Sequence, residues 1–169
     1  MQRLSPRGYQ QVTALTAAVG LTLPVGVEQA SGSACSLSGS LLTVGGTVTG
    51  AFGVGQTVQG TGIPANTKIT APASSSPNPT AWLLSASCTT EASEAVTAYA
   101  TVQVDCALIR ATGQTVMWRD DGTAPTASIG FPLLVTDPPF YYTGDLAALQ
   151  FIQASATAGL DVSYYKMAG

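Results

Sequence analysis

The chain has 169 residues, with 6 Lys and Arg against 9 Asp and Glu, no His, 18 Gly and 10 Pro. Only 9% of residues are charged and 46% are hydrophobic, where an ordinary soluble domain carries about 25% charged, so disorder is excluded and copies have little charge to keep them apart in water. Without His there is no imidazole base, no Ser-His-Asp or Cys-His arrangement and no His-containing zinc site.

A surface so poor in charge is expected to be covered by other subunits. Arg3, Arg7, Lys68, Arg110, Arg119 and Lys166 are too few and too scattered to release many phosphate counterions, which argues against a nucleic-acid partner. No apolar run approaches the ~20 residues that span a bilayer, so no membrane partner is expected. The opening MQRLSPRGYQ has neither the apolar stretch nor the cleavage site of a secretory signal, and the expectation is a chain made and kept in the cytoplasm. There, Cys35, Cys88 and Cys106 read as buried thiols, with a Cys35–Cys88 bond left open as a product of later oxidation.

In chain order, Arg3 and Arg7 come first, on a segment that could reach a neighbour, and Tyr9 to Val19 suggests a short helix. From Ser31 to Val102 the only charges are Lys68, Glu91 and Glu94, in a background of Ser, Thr, Gly and Ala. That composition shift marks a candidate domain boundary at each end. Within it, Ser36-Leu37-Ser38, Leu42-Thr43-Val44 and Gln56-Thr57-Val58-Gln59 alternate apolar with polar. Gly45-Gly46, Gly53, Gly55, Gly60-Thr61-Gly62 and Pro64-Ala65-Asn66 punctuate them as turns. Pro72 to Pro79 reads as an exposed loop tip, and Ala81 to Leu84 and Ala95 to Tyr99 as two further strands.

Beyond the shift, Val102, Val104, Cys106 and Leu108 are expected on one strand face, with Gln103 and Asp105 on the other. Val116 to Arg119 enters the turn Asp120-Asp121-Gly122, suited to reversing a hairpin. Strands are expected over Ile129 to Val135, Phe140 to Tyr142, Leu149 to Ala154 and Leu160 to Tyr165, with a helical turn around Asp145 to Leu149. In the last strand Leu160, Val162 and Tyr164 share a face. Strands every 8 to 12 residues with almost no helix period predict an all-β protein, a β-sandwich or jelly roll.

Few motifs carry chemistry. The runs at Gly53-Val-Gly55 and Gly60-Thr-Gly62 lack the third Gly or the Lys-Ser/Thr of phosphate loops and open no helix, so they read as turns. Asp120 and Asp121 with Asp137 or Asp145 could supply oxygen ligands to calcium, but the alternate carboxylates and terminal Glu of a calcium loop are missing, and a solvated turn with Arg119 is preferred. Spacing alone gives a carboxylate-pair enzyme no positive support. No cofactor, metal site or catalytic residue is assigned. In the pairs Tyr141-Tyr142 and Tyr164-Tyr165 neighbours face opposite ways on a strand, so one of each is a candidate interface residue.

Ala107-Leu108-Ile109, the stretch Gly113 to Gly130 containing Trp118-Arg119-Asp120-Asp121-Gly122-Thr123-Ala124-Pro125, then Tyr142 to Ile152 and Val162 to Tyr165, resemble in order and spacing small virion proteins of tailed bacteriophages. In those proteins the strand corresponding to Asp105 to Ile109 follows closely on a segment like Tyr9 to Val27. This chain departs by placing roughly seventy residues between them. That intervening piece, Val54 to Thr70 above all, resembles a β module of phage tail, fibre and surface-exposed structural proteins.

The resemblance and the composition shift together imply a β-sandwich chassis, residues 1–30 with 103–169, carrying an inserted β module at 31–102. The implied function is a capsid decoration or cement protein on the virion exterior, made in the host cytoplasm. It would bind the major capsid protein shell and form a dimer or trimer with its own copies. The alternatives are a tail, neck or fibre accessory, which could bind a receptor, and, less favoured, a carbohydrate-active enzyme domain. Candidate structural and interface residues are Trp118, Arg119, Asp120, Asp121, Gly122, Tyr141, Tyr142, Tyr164, Tyr165, Arg3 and Arg7.

Overall fold

The computed structural model describes residues 3–13, 15–74 and 79–167. Within them every regular element is a strand: β1 (Leu4–Val12), β2 (Val19–Gly20), β3 (Val25–Thr43), β4 (Val48–Gly50), β5 (Thr57–Gln59), β6 (Ile69–Pro72), β7 (Ala81–Thr101), β8 (Cys106–Thr112), β9 (Val116–Arg119), β10 (Phe131–Leu133), β11 (Phe140–Tyr142), β12 (Gln150–Gln153) and β13 (Gly159–Met167). The fold is all-β and sandwich-like, as the strand spacing predicts. The chain divides into two compact units, Met1–Pro24 with Gln103–Gly169, and Val25–Val102. The expected loop tip at Pro72 to Pro79 falls partly on residues 75–78, which lie outside the described residues, as does Ala14.

The first unit consists of two antiparallel sheets, ordered β1-β13-β8-β11 and β10-β9-β12-β2. Their facing sides share one core. Ala107, Ile109 and Ala111 of β8 and Leu160, Val162 and Tyr164 of β13 meet Val116, Leu133 and Phe151 of the other sheet, with Leu15, Leu21, Leu146 and Leu149 from the connections.

Three expectations change here. Tyr9 to Val12 belongs to β1, not to a helix, because it pairs residue by residue with β13 from Tyr9↔Ser163 to Val12↔Leu160. That pairing across the whole chain outweighs local helix preference. Residues 102–105 precede the strand rather than open it, and Ala107, Ile109 and Ala111 face the core while Leu108 is only half-buried. Finally, Asp120-Asp121-Gly122 is not a tight hairpin: it begins a loop of 11 residues between the antiparallel partners β9 and β10.

In the second unit the sheet order is β4-β3-β7-β5, with β6 also on β7. β3 and β7 span 19 and 21 residues, so the strands expected at Ala81 to Leu84 and Ala95 to Tyr99 are two ends of one element. Their register shifts six times along the pair. Each shift bends and twists the ladder, which lets two long strands curl around a small core instead of extending as a flat ribbon. Leu37, Leu42, Val58, Ile69, Trp82 and Val96 fill that core. The pairing of Val25 with Thr101 brings the two ends of the unit together.

Candidate functional site

Trp118 sits on β9 with Phe131 of β10 on one side in register and Phe151 of β12 on the other. Directly opposed residues share a face. All three therefore point toward the core, yet Phe151 is fully buried, Trp118 half-buried and Phe131 61% exposed. The apolar face of this sheet runs out past its cover at the β10 edge.

From the other sheet, Phe140 stacks on the indole at 5.2 Å between ring centres and Tyr142 meets it edge-on at 6.3 Å, while Phe131 tilts against it at 5.3 Å. Trp118 is thus the ring that ties the β10 and β11 edges together. Beside it Ile129, Leu134 and Val135 are also exposed, so residues 129–135 form an apolar run in which only Leu133 is buried. Pro132 lacks an N–H, which blunts this edge against addition of another strand and leaves side-chain packing as the way to cover it.

The charged residues around this end are tied to one another. Arg119 donates to Asp121, and with the Thr123 N–H this holds the Asp121 carboxyl down at about 2. Tyr142 reaches Asp120 at 3.5 Å, and burial with the Asp120 charge raises its phenol. Gly122 takes φ +75°, the left-handed conformation its turn needs. Asp137 and Asp145 accept backbone N–H bonds from Leu134 and Ala147 in separate turns. Among the described residues no three metal-ligating side chains gather.

The outward side of the other sheet carries a cross-strand row, Tyr9↔Ser163↔Leu108↔Tyr141. Its two tyrosines are 63% and 46% exposed. Alongside, Asp161 accepts from Tyr9 at 2.7 Å and from Arg110 at 2.7 Å, bonds that lower its carboxyl below the ordinary range. Tyr141 donates to the buried Cys106 thiol and covers it. Tyr164, by contrast, lies in the core with its hydroxyl on Gln10 at 2.6 Å, and Tyr165 is the partly exposed member of that pair. Arg7 lies in β1 at the bulge between Pro6 and Gly8, and Arg3 is exposed just before the strand. All three cysteines are free and buried; Cys35 pairs across the ladder with Glu94 and Cys88 with Gly39, which separates the two thiols along β3.

Of the residues singled out from the sequence, Trp118, Arg119, Asp120, Asp121, Gly122 and Tyr142 come together at one end of the first unit. Phe131 and Ile129 were missed. Their one signal was the apolar content of Ile129 to Val135, which marks the stretch as hydrophobic without saying which of its side chains the opposite sheet leaves bare. Comparison with family models, with curated proteins and with solved structures returned no match for this chain.

Proposed function

We propose that this protein is a structural component of a tailed-phage virion, a decoration or cement protein that binds the outer surface of the shell built by the major capsid protein. The observation that carries the reading is the uncovered core face at the β10 edge, where Phe131 and Ile129 stand 61% and 57% exposed next to a half-buried Trp118. Aromatic anchors beside a rim of internally paired charges are the anatomy of a protein–protein contact. The low charge of the chain and its resemblance to small virion proteins point to a neighbouring shell subunit as the cover.

The assay is binding of the purified protein to shells assembled without it. Phe131→Ser removes the most exposed ring of this edge and should abolish binding while costing only about 1 kcal/mol of stability, since a largely exposed ring has little burial to lose. Shells lacking the protein should assemble but break at lower temperature, because a bound partner stabilises only the assembled state. Unchanged shell stability together with lost adsorption to cells would move the protein to the tail or fibre class.

A further inference from the structure

The outward side of the β1-β13-β8-β11 sheet carries the row Tyr9↔Ser163↔Leu108↔Tyr141, with a tyrosine at each end on the two edge strands. Both phenols turn back onto the sheet. Tyr9 donates to Asp161 at 2.7 Å, two residues along β13 from its own register partner, and Tyr141 donates to Cys106 at 2.8 Å, two residues along β8 from its partner. Such diagonal reaches lay each ring across the neighbouring strand. With the hydroxyls engaged, what these two exposed side chains offer to solvent is mainly ring surface. A tyrosine exposed only at its polar tip does the reverse, packing its ring and leaving its hydroxyl in water. Between the rings the row drops to Ser163 and Leu108, both half-buried. A hollow of about 270 Å³ opens there, walled by Tyr9, Pro139 and the Arg110–Asp161 ion pair.

The ion pair cancels its own charge but not its hydrogen-bonding capacity. Arg110 gives one N–H to Asp161 and keeps others on a side chain that is 53% exposed, and Asp161, which accepts from Tyr9, Gln11 and Arg110, has room for one more donor. The hollow thus combines donors, an acceptor, the Ser163 hydroxyl and a ring face, with no net charge. A sugar ring has the matching chemistry: an apolar C–H face, and hydroxyls that both donate and accept. A proline-rich peptide offers mostly carbonyl acceptors, and the tyrosine hydroxyls that would donate to them are taken. We infer that this sheet face binds a neutral oligosaccharide, with one sugar ring seated in the hollow against Tyr9 and the chain running along the row to Tyr141, about 14 Å away across three strand spacings. The site is on a different sheet from the β10 edge and stands or falls apart from the shell-binding reading.

The test is calorimetric titration of the full chain with maltopentaose, cellopentaose, mannopentaose and the N-acetylglucosamine pentamer, and with the galacturonic acid pentamer as the charged control. The expected result is saturable binding of at least one neutral pentamer, about tenfold or more tighter than the control. Tyr9→Ala and Tyr141→Ala should each weaken it about tenfold through loss of a stacked ring, whereas Tyr9→Phe and Tyr141→Phe, which keep the rings, should stay within about threefold of the wild type. A loss as large in the phenylalanine variants would overturn the stacking. No saturable binding of any neutral pentamer up to about 10 mM, or tighter binding of the charged one, would overturn the site. A concentration-dependent dimer that Tyr9→Ala abolishes would overturn it in favour of a second copy of this chain. The wild-type titration stands whether or not a variant folds.

Discussion

Replacing Trp118 by Ala tests whether one ring joins the two sheets of the first unit. Truncating a fully buried Trp costs about 3 to 5 kcal/mol. Trp118 is half-buried, which lowers the transfer part, but it loses ring contacts with Phe140, Phe131 and Tyr142 as well. Aromatic pairs contribute about 0.5 to 1.5 kcal/mol each beyond their burial, so a loss of about 3 kcal/mol is expected. That is a drop of about 10 °C in melting temperature for a domain of this size. Trp118→Phe, which keeps a ring against Phe140, should cost about 1 kcal/mol. Thermal and urea melts followed by circular dichroism measure both. A loss below about 1 kcal/mol for Trp118→Ala would refute the account of the indole as the tie between the β10 and β11 edges.

Two glycines with nearly the same backbone conformation should respond differently. A Cβ at Gly122, φ +75°, meets nothing within 4 Å, so Gly122→Ala should cost about 1 to 2 kcal/mol from the left-handed backbone alone and Gly122→Val more. A Cβ at Gly113, φ +74°, would lie 2.2 Å from the Thr157 carbonyl oxygen, so Gly113→Ala should be clearly the more destabilising in the same melts. Tyr9→Phe removes the largest cause of the lowered Asp161 carboxyl, which should then titrate nearer the ordinary range in carbon NMR. A lowered carboxyl stabilises the fold above its unfolded value, about 3.9, and that stability is lost as pH falls through the folded value, so the acid unfolding midpoint of Tyr9→Phe should move to higher pH. Excising Val25–Val102 and joining Pro24 to Gln103 through a short Gly-Ser linker should leave a soluble β-sheet unit; loss of both the sheet signal and solubility would show that the first unit does not stand alone.

What could be read from the residues depended on whether period two survived along a strand. Leu160, Val162 and Tyr164 alternate without interruption on β13, and all three are buried as that alternation implies. Along β3 the buried residues are Ala30 and Gly32, then Cys35 and Leu37, then Leu42, so the inward phase switches from even to odd and back as register shifts intervene. A bulge resets the alternation, and two long strands then look like several short ones. Tyr9 to Val12 carries too little pattern to declare itself, and its state comes from partners about 150 residues away. At the candidate site a strand through Trp118 and a turn at Gly122 were legible from residue type and spacing; the positive φ of Gly122 and the contacts of Trp118 with rings of the other sheet came from the structure. The exposure of Phe131 was not, because whether an inward-facing ring is covered depends on where the opposite sheet ends, which no local pattern records.

The central claim, a decoration protein covering the capsid shell of a tailed phage, is tested most directly by counting copies of this chain per purified particle, by quantitative mass spectrometry against the major capsid protein. A shell-covering protein requires hundreds of copies per particle, in fixed ratio to the major capsid protein and lost when Phe131→Ser is introduced. Tens of copies or fewer, or none, would contradict it and place the protein elsewhere.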